Sequence, residues 1–374
     1  MPAGRVSQIT RGFEAQSLYS IGESALEIDN AHFIRIGTMT FRILNPLAWP
    51  GPFAWQGPNK LEPNKLGLNL LGSNFRRLKS LGFLTAVTLT LASTPALAGD
   101  PFRSTTEHDI GPHAEEAFEA FFKEGDYVGA RAALDLAMKS ESDEPLVHGM
   151  AASMAYLDED WDAVATEAEL TRSTAEALLE TNPLRGHIYS AVGIFMEGAH
   201  LMSTQGVARS TPAALAMLQQ VFGHIGEAEK IDSTDPELNL VKGFMDLMLA
   251  VNLPFSDPAE AIERLSQYGN PSYLSYRGIA LGYRDLGQMT DAMDAVDQAL
   301  ETAPENPELF YLKAQLHRRQ SETDESVAMF DKALEYAAQL PSNLARKIYK
   351  EKCRTLGGSH ETCGQEATDF VKSL

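Results

Sequence analysis

Two cysteines, Cys353 and Cys363, flank Gly357-Gly358 near the end of the chain. They fall at the end of one expected helix and the start of the next. In an exported protein an even pair this close reads as a disulfide. A metal reading recruits His360, giving three ligands across a short loop and leaving the fourth zinc position unfilled. Among the nine histidines, the densest polar group is Glu107-His108-Asp109 with His113. It has no matching second half for a metal, and its expected role is to cap the first helix of the body. The sequence holds no HExxH, no GxSxG and no phosphate-cradling glycine loop. Gly278 and Gly282 share one expected helix and signify close packing. Carboxylate pairs recur throughout so acidic a chain, so they do not mark acid–base catalysis. The expectation is no metal, no cofactor and no catalytic residue.

The elements that carry these residues belong to a chain of 374 residues, long enough for one repeat array or two ordinary domains. Hydrophobic residues make up 44% and charged residues 22%, which argues against wholesale disorder. The first 98 residues hold nine basic and five acidic side chains, which leaves 22 basic and 46 acidic in the remainder, a formal charge of −24. A surface of that sign repels phosphate backbones and anionic headgroups, so nucleic acid is a poor candidate partner and none is expected; the same acidity also serves simply to keep a chain soluble.

Location is written in the stretch NFRRLKSLGFLTAVTLTLASTPALAG, residues 74–99. Arg76, Arg77 and Lys79 form a positive start, Leu81 to Ala92 a short apolar core, and Ala96-Leu97-Ala98 a small-residue cleavage site before Gly99. This order is that of a secretory signal peptide, and the apolar run is shorter than the ~20 residues of a membrane-spanning helix. No stable span is expected once the signal, residues 74–98, is removed between Ala98 and Gly99. Residues 1–73 contain a Pro/Gly-crowded stretch with neither helical nor strand period. They are expected to be a disordered gene-model extension. Glu14, Glu23, Glu27, Asp29 and Glu62 argue against an organelle transit peptide, which is acidic-poor.

From Pro112 onward Ala, Leu, Glu and Met recur at three and four, the period of an all-helical body. That body also repeats. Tyr273–Asn306 and Pro307–Leu340 are consecutive 34-residue units. In the first, Tyr276, Ile279, Ala280, Tyr283, Gly287, Ala292, Val296, Ala299 and Pro304 fall in the register of a tetratricopeptide repeat (TPR), which these units resemble. One helix is expected to end at about Asp285, with Gly287 turning the chain and the next helix running to about Thr302. The second unit keeps Phe310, Ala314, Phe330 and Ala333 but departs at Lys313 and Ser326. A fair unit spans 111–144, with Phe118 at a site usually small, and a weak one spans 145–178. Residues 179–272 are degenerate helical pairs, with Pro212 and Pro236 expected at helix starts, and 341–374 form a C-terminal cap. Methionines 196, 202, 217, 245 and 248 read as core filler.

The resemblance implies an all-α, right-handed superhelical array of antiparallel helix pairs, a TPR-like α-solenoid. It also implies recognition of a protein or peptide segment along a concave groove. The expected groove residues are Arg277, Arg284, Arg318, Arg319 and Tyr311. The arginines would form a basic stripe able to hold a carboxylate, unless Asp285 and Glu308 neutralise it. Leu281 stands where the carboxylate clamp of chaperone-binding TPRs has Asn. The overall layout is also similar to secreted TPR proteins of cyanobacteria, which implies a periplasmic or thylakoid-lumen location. A rival reading is an enzyme with its site in residues 182–270, which would show a pocket lined by convergent ionisable side chains.

Overall fold

The computed structural model describes residues 33–36, 39–42, 99–103, 108–252 and 258–374. The signal segment 74–98, with Ala98, lies outside the described residues, as does most of 1–73. Within 1–73 one element departs from the expected disorder. Strand β1 (Phe33–Ile36) pairs antiparallel with β2 (Met39–Arg42), Phe33 opposite Arg42 and Ile36 opposite Met39. Only Gly37 and Thr38 separate the strands in sequence, which is the spacing of a two-residue hairpin.

The body is an all-α array of helix pairs. Its first pair is α1 (Pro112–Phe118), continued by a π-helical turn Glu119–Glu124, and α2 (Tyr127–Ser140). Next come α3 (Pro145–Leu157) with α4 (Trp161–Leu178), and the long α5 (Pro183–Gln205) with α6 (Val207–Ile231). Then α7 (Pro236–Asn252) precedes α8 (Pro258–Gln267), α9 (Ser272–Asp285) precedes α10 (Met289–Thr302), and α11 (Pro307–Arg319) precedes α12 (Thr323–Glu335). A 3-10 turn, Ala337–Gln339, leads to α13 (Ser342–Thr355) and α14 (His360–Lys372).

Proline and a capping side chain mark many of the helix starts. Asn306 Oδ1 accepts from the Glu308 and Leu309 N–H groups, and Pro307 follows it with a ring that needs no partner for its missing N–H. Gly287 and Gly125 end their helices at φ +77° and +65°, where a Cβ would be strained. Pro236 opens α7 as expected, but Pro212 lies inside α6, five residues past its start. The first helix also differs from expectation. Its cap comes from Glu141, whose carboxylate accepts from the His113 and Ala114 N–H groups, while the His108 N–H donates to Asp100.

Close approach of the helices rests on small residues: Ala280, Ala292, Ala299 and Ala333 are fully buried. A Cβ on Gly278 would lie 2.8 Å from Leu265 Cδ1, and one on Gly282 2.9 Å from Ile262 Cδ1, so α8 and α9 pack tightly there. The departures from the repeat pattern are each accommodated. Phe118 is buried edge-on between Phe102 and Phe122, at 4.9 and 4.7 Å. Ser326 Oγ donates to the Ala314 carbonyl at 2.8 Å, and Lys313 pairs with Asp297 of α10. Met196 and Met245 are buried in the core.

The array also closes on itself. Asn306 Nδ2 donates to the Phe122 and Lys123 carbonyls, both at 3.1 Å. Asn270 Nδ2 reaches the Phe102 carbonyl at 2.9 Å, and Gln339 Nε2 the Gly125 carbonyl at 3.3 Å. Asn343 of α13 donates to the Leu157 carbonyl that ends α3. The first helix pair and the segment Gly99–Arg103 therefore lie against the starts of α9 and α11 and the 3-10 turn before α13. Side-chain amides satisfy carbonyls at the helix ends that have no intrahelical donor.

Candidate functional site

The expected groove arginines do not form an open stripe. Arg277 and Arg284 are only 5% and 3% exposed. Arg277 pairs with Glu308, whose other oxygen accepts from the Tyr127 hydroxyl of α2. Glu308 lies one residue past the proline that opens α11, which brings its carboxylate between α9 and the incoming first pair. Burial pushes the Glu308 carboxyl up against the opposing pull of Arg277. Burial and the Glu308 charge push the Tyr127 phenol well above its ordinary value.

Two turns further along α9, Arg284 Nε donates to Asp285 at 3.0 Å and Nη1 to Gln315 Oε1 at 3.3 Å. Tyr311 is buried, and its hydroxyl donates to Glu351 Oε1 of α13 at 2.9 Å. Arg318 reaches the other oxygen of Glu351 at 3.3 Å, with its side chain 30% exposed. Arg319 Nη1 donates to the Arg284 carbonyl at 3.0 Å, so it caps the end of α9. The five residues are thus brought together, but Arg277, Arg284 and Tyr311 hold helices in register. Only the Arg318–Arg319 end reaches the surface.

Beside that end is a cavity of about 260 Å³ lined by Leu247, Ala250, Pro258, Leu281, Gly282, Asp285 and Leu286. Its one ionisable side chain, Asp285, already faces Arg284. Leu281, at the clamp position, contributes to its wall.

A second buried cluster, in the irregular middle, escaped sequence reasoning. Arg185 of α5 donates to both oxygens of Glu144 at 2.8 Å and to Glu237 at 3.1 Å. Arg103 reaches Glu237 at 3.0 Å, Asp100 at 2.9 Å and also Asp235. The Tyr189 hydroxyl donates to Glu237 at 2.7 Å. Burial would raise the Asp100 carboxyl, but the His108 hydrogen bond and the Arg103 charge bring it down to about 2. Asp235 is pushed the other way, because burial there outweighs the pull of Arg103. Two guanidiniums thus hold four carboxylates, all closed off from solvent. This arrangement ties the starts of α3, α5 and α7 to one another.

The clue in the sequence was a repeated start. Asp235-Pro236-Glu237-Leu238 and Asn306-Pro307-Glu308-Leu309 are equivalent, and each glutamate accepts one arginine of the preceding odd helix and one tyrosine hydroxyl.

Cys353 and Cys363 are joined, with Cα atoms 5.5 Å apart. Among the described residues no helix is long and apolar enough to cross a membrane. No group of three or more His, Cys, Asp or Glu side chains stands ready to hold a metal there.

No protein-family model matches the chain, and no curated protein matches it. Among solved structures, a crystal structure of PilW, a widely conserved type IV pilus biogenesis factor, aligns at a TM-score of 0.40 and 14% identity. The alignment covers 61% of this chain and 92% of that one. Nothing in these comparisons supports a cyanobacterial origin.

Proposed function

We propose that this chain is an extracytoplasmic scaffold of the tetratricopeptide type that binds a protein or peptide segment. The binding surface lies over the C-terminal halves of α9 and α11. A partner's apolar side chain enters the cavity bounded by Leu247, Leu281 and Leu286, and an acidic group meets Arg318 and Arg319. The observation that carries this reading is the cavity, whose wall residue Asp285 follows the Arg284 carbonyl that Arg319 caps, with the part-exposed Arg318 next to Arg319 in sequence, on an otherwise acidic body. An apolar pocket with a few fixed polar groups at its rim is the usual form of a recognition site. Export is supported by the signal pattern of residues 74–98 and by the Cys353–Cys363 bond, which suits an oxidising compartment. The enzyme reading gains no comparable support, since the ionisable side chains of the buried middle cluster are paired with one another.

An array of acidic, neutral and basic peptides probed with the full chain tests the surface. Acidic peptides with one large apolar residue should bind, more weakly as salt rises, and Arg318→Ala and Leu281→Asp should each reduce the signal. Binding indifferent to both substitutions and to salt would remove this surface from consideration.

A further inference from the structure

His187 of α5 and His224 of α6 face each other with their Nδ1 atoms 3.1 Å apart. Both rings are half-buried, and their centroids are 5.3 Å apart. Each helix is long and the two pack along their length, so the pair is held by rigid elements. The backbone beneath His187 is fixed in particular. A Cβ on its neighbour Gly186 would lie 3.0 Å from the Ala175 carbonyl of α4, so α5 and α4 pack closely at that point. The α6 side is open by contrast: a Cβ on Gly223 or on Gly226, flanking His224, would meet nothing within 4 Å.

Two imidazole nitrogens at this separation fit one metal ion. With metal–nitrogen bonds of about 2.0–2.1 Å, a 3.1 Å separation subtends about 100° at the ion, between the square and tetrahedral angles. The charges around the rings are suited to a cation. Glu227 lies three residues after His224 on α6, one turn along the same face, and is paired at present with Lys230 at 2.7 Å. Glu176 of α4, held by Arg172, also acts on His224.

We propose that His187 and His224 form a binding site for a divalent first-row transition metal, with Glu227 turning from Lys230 to serve as third ligand and water completing the shell. Imidazole and carboxylate donors at this angle suit Cu²⁺, Ni²⁺ and Zn²⁺, with Cu²⁺ the tightest by the general affinity order. Binding breaks the Nδ1···Nδ1 hydrogen bond: the donor ring moves its proton to Nε2, and both Nδ1 lone pairs turn onto the ion. The site lies within the helix pair that departs most in length from the 34-residue repeat, and it is independent of the peptide surface on α9 and α11.

Titration calorimetry of the full chain with CuSO₄, NiCl₂ and ZnCl₂ tests it. One equivalent should bind, in the order Cu²⁺ tightest, with affinity falling as pH drops from 7.5 to 5.5. Loss of even an outer-shell partner typically weakens a metal site 10–100-fold. His187→Ala or His224→Ala should therefore weaken binding by at least about tenfold, whereas His200→Ala should not. Electron paramagnetic resonance of the copper complex gives a second reading that does not depend on the variants folding. Coupling to two imidazole nitrogens is expected, and a spectrum with one or none would overturn the assignment. So would the absence of binding by all three ions, or equal affinity in folded His187→Ala, His224→Ala and unsubstituted protein.

Discussion

Tyr127, the first residue of α2, donates its hydroxyl to Glu308 in the first turn of α11, so the opening helix pair of the body is bonded directly to a pair near its end. The same carboxylate carries Arg277, which makes Glu308 the hub of a closed contact. Removing it leaves a buried guanidinium without its charge partner, which typically costs about 3–5 kcal/mol. Glu308→Ala should lose about that much in urea unfolding, and Tyr127→Phe about 1–3 kcal/mol. Equal stability in Glu308→Ala and unsubstituted protein would mean the contact is absent in solution.

Acid should act on the body partly through Asp100. Its folded pKa of about 2 lies below the ordinary 3.8, so it contributes stability above pH ~4 that is lost as pH falls toward 2. A shift of this size corresponds to about 2 kcal/mol. Asp235, on the same guanidinium, is shifted upward and opposes part of this slope. Asp100→Asn should be less stable at pH 7 and lose less between pH 4 and 2, as followed by circular dichroism. An unchanged acid limb would show that Asp100 is not held this way.

Mature protein should begin at Gly99. Its backbone N–H donates to Glu115 Oε2 at 2.9 Å, and after cleavage the same nitrogen becomes an ammonium facing that carboxylate. Intact-mass measurement of exported protein decides the point, and a product that retains residues 1–73 counts against it.

The Cys353–Cys363 bond closes a loop of sequence separation 10 and should contribute about 2–3 kcal/mol in the chain-entropy account. Labelling of denatured, unreduced protein should find no free thiol. Reduction should lower the unfolding midpoint, and Cys353→Ser/Cys363→Ser should match the reduced protein.

Much of the helix layout was legible because it is punctuated locally. Gly287, Pro304 and Pro307 mark the boundaries of α9, α10 and α11 in the residues themselves. The groove was not legible, for a physical reason. Helical period places Arg277 and Arg284 on one face but says nothing about what covers that face. Here Tyr127, more than a hundred residues earlier in sequence, arrives on Glu308 and buries the arginine beside it. Arg185, Arg103 and Glu237 were missed on the same grounds. Their partners are distant in sequence, and only the recurring Pro-Glu-Leu starts hinted at a shared role. The Phe33–Arg42 hairpin was overlooked although its alternation is local, because the Pro/Gly-rich stretch after it set the expectation for the whole segment.

Closure alters how such an array can come apart. In an open stack of repeats each end unit has one neighbour, so the ends melt first and independently of the middle. Here the first pair is bonded through Asn306, Glu308 and Gln339 as well as to its successor, and α13 reaches back to the end of α3. Freeing a terminal unit therefore breaks two seams instead of one. The body should unfold in a single cooperative step in which no repeat frays ahead of the others, and deletion of the first pair should unseat helices at the opposite end of the sequence.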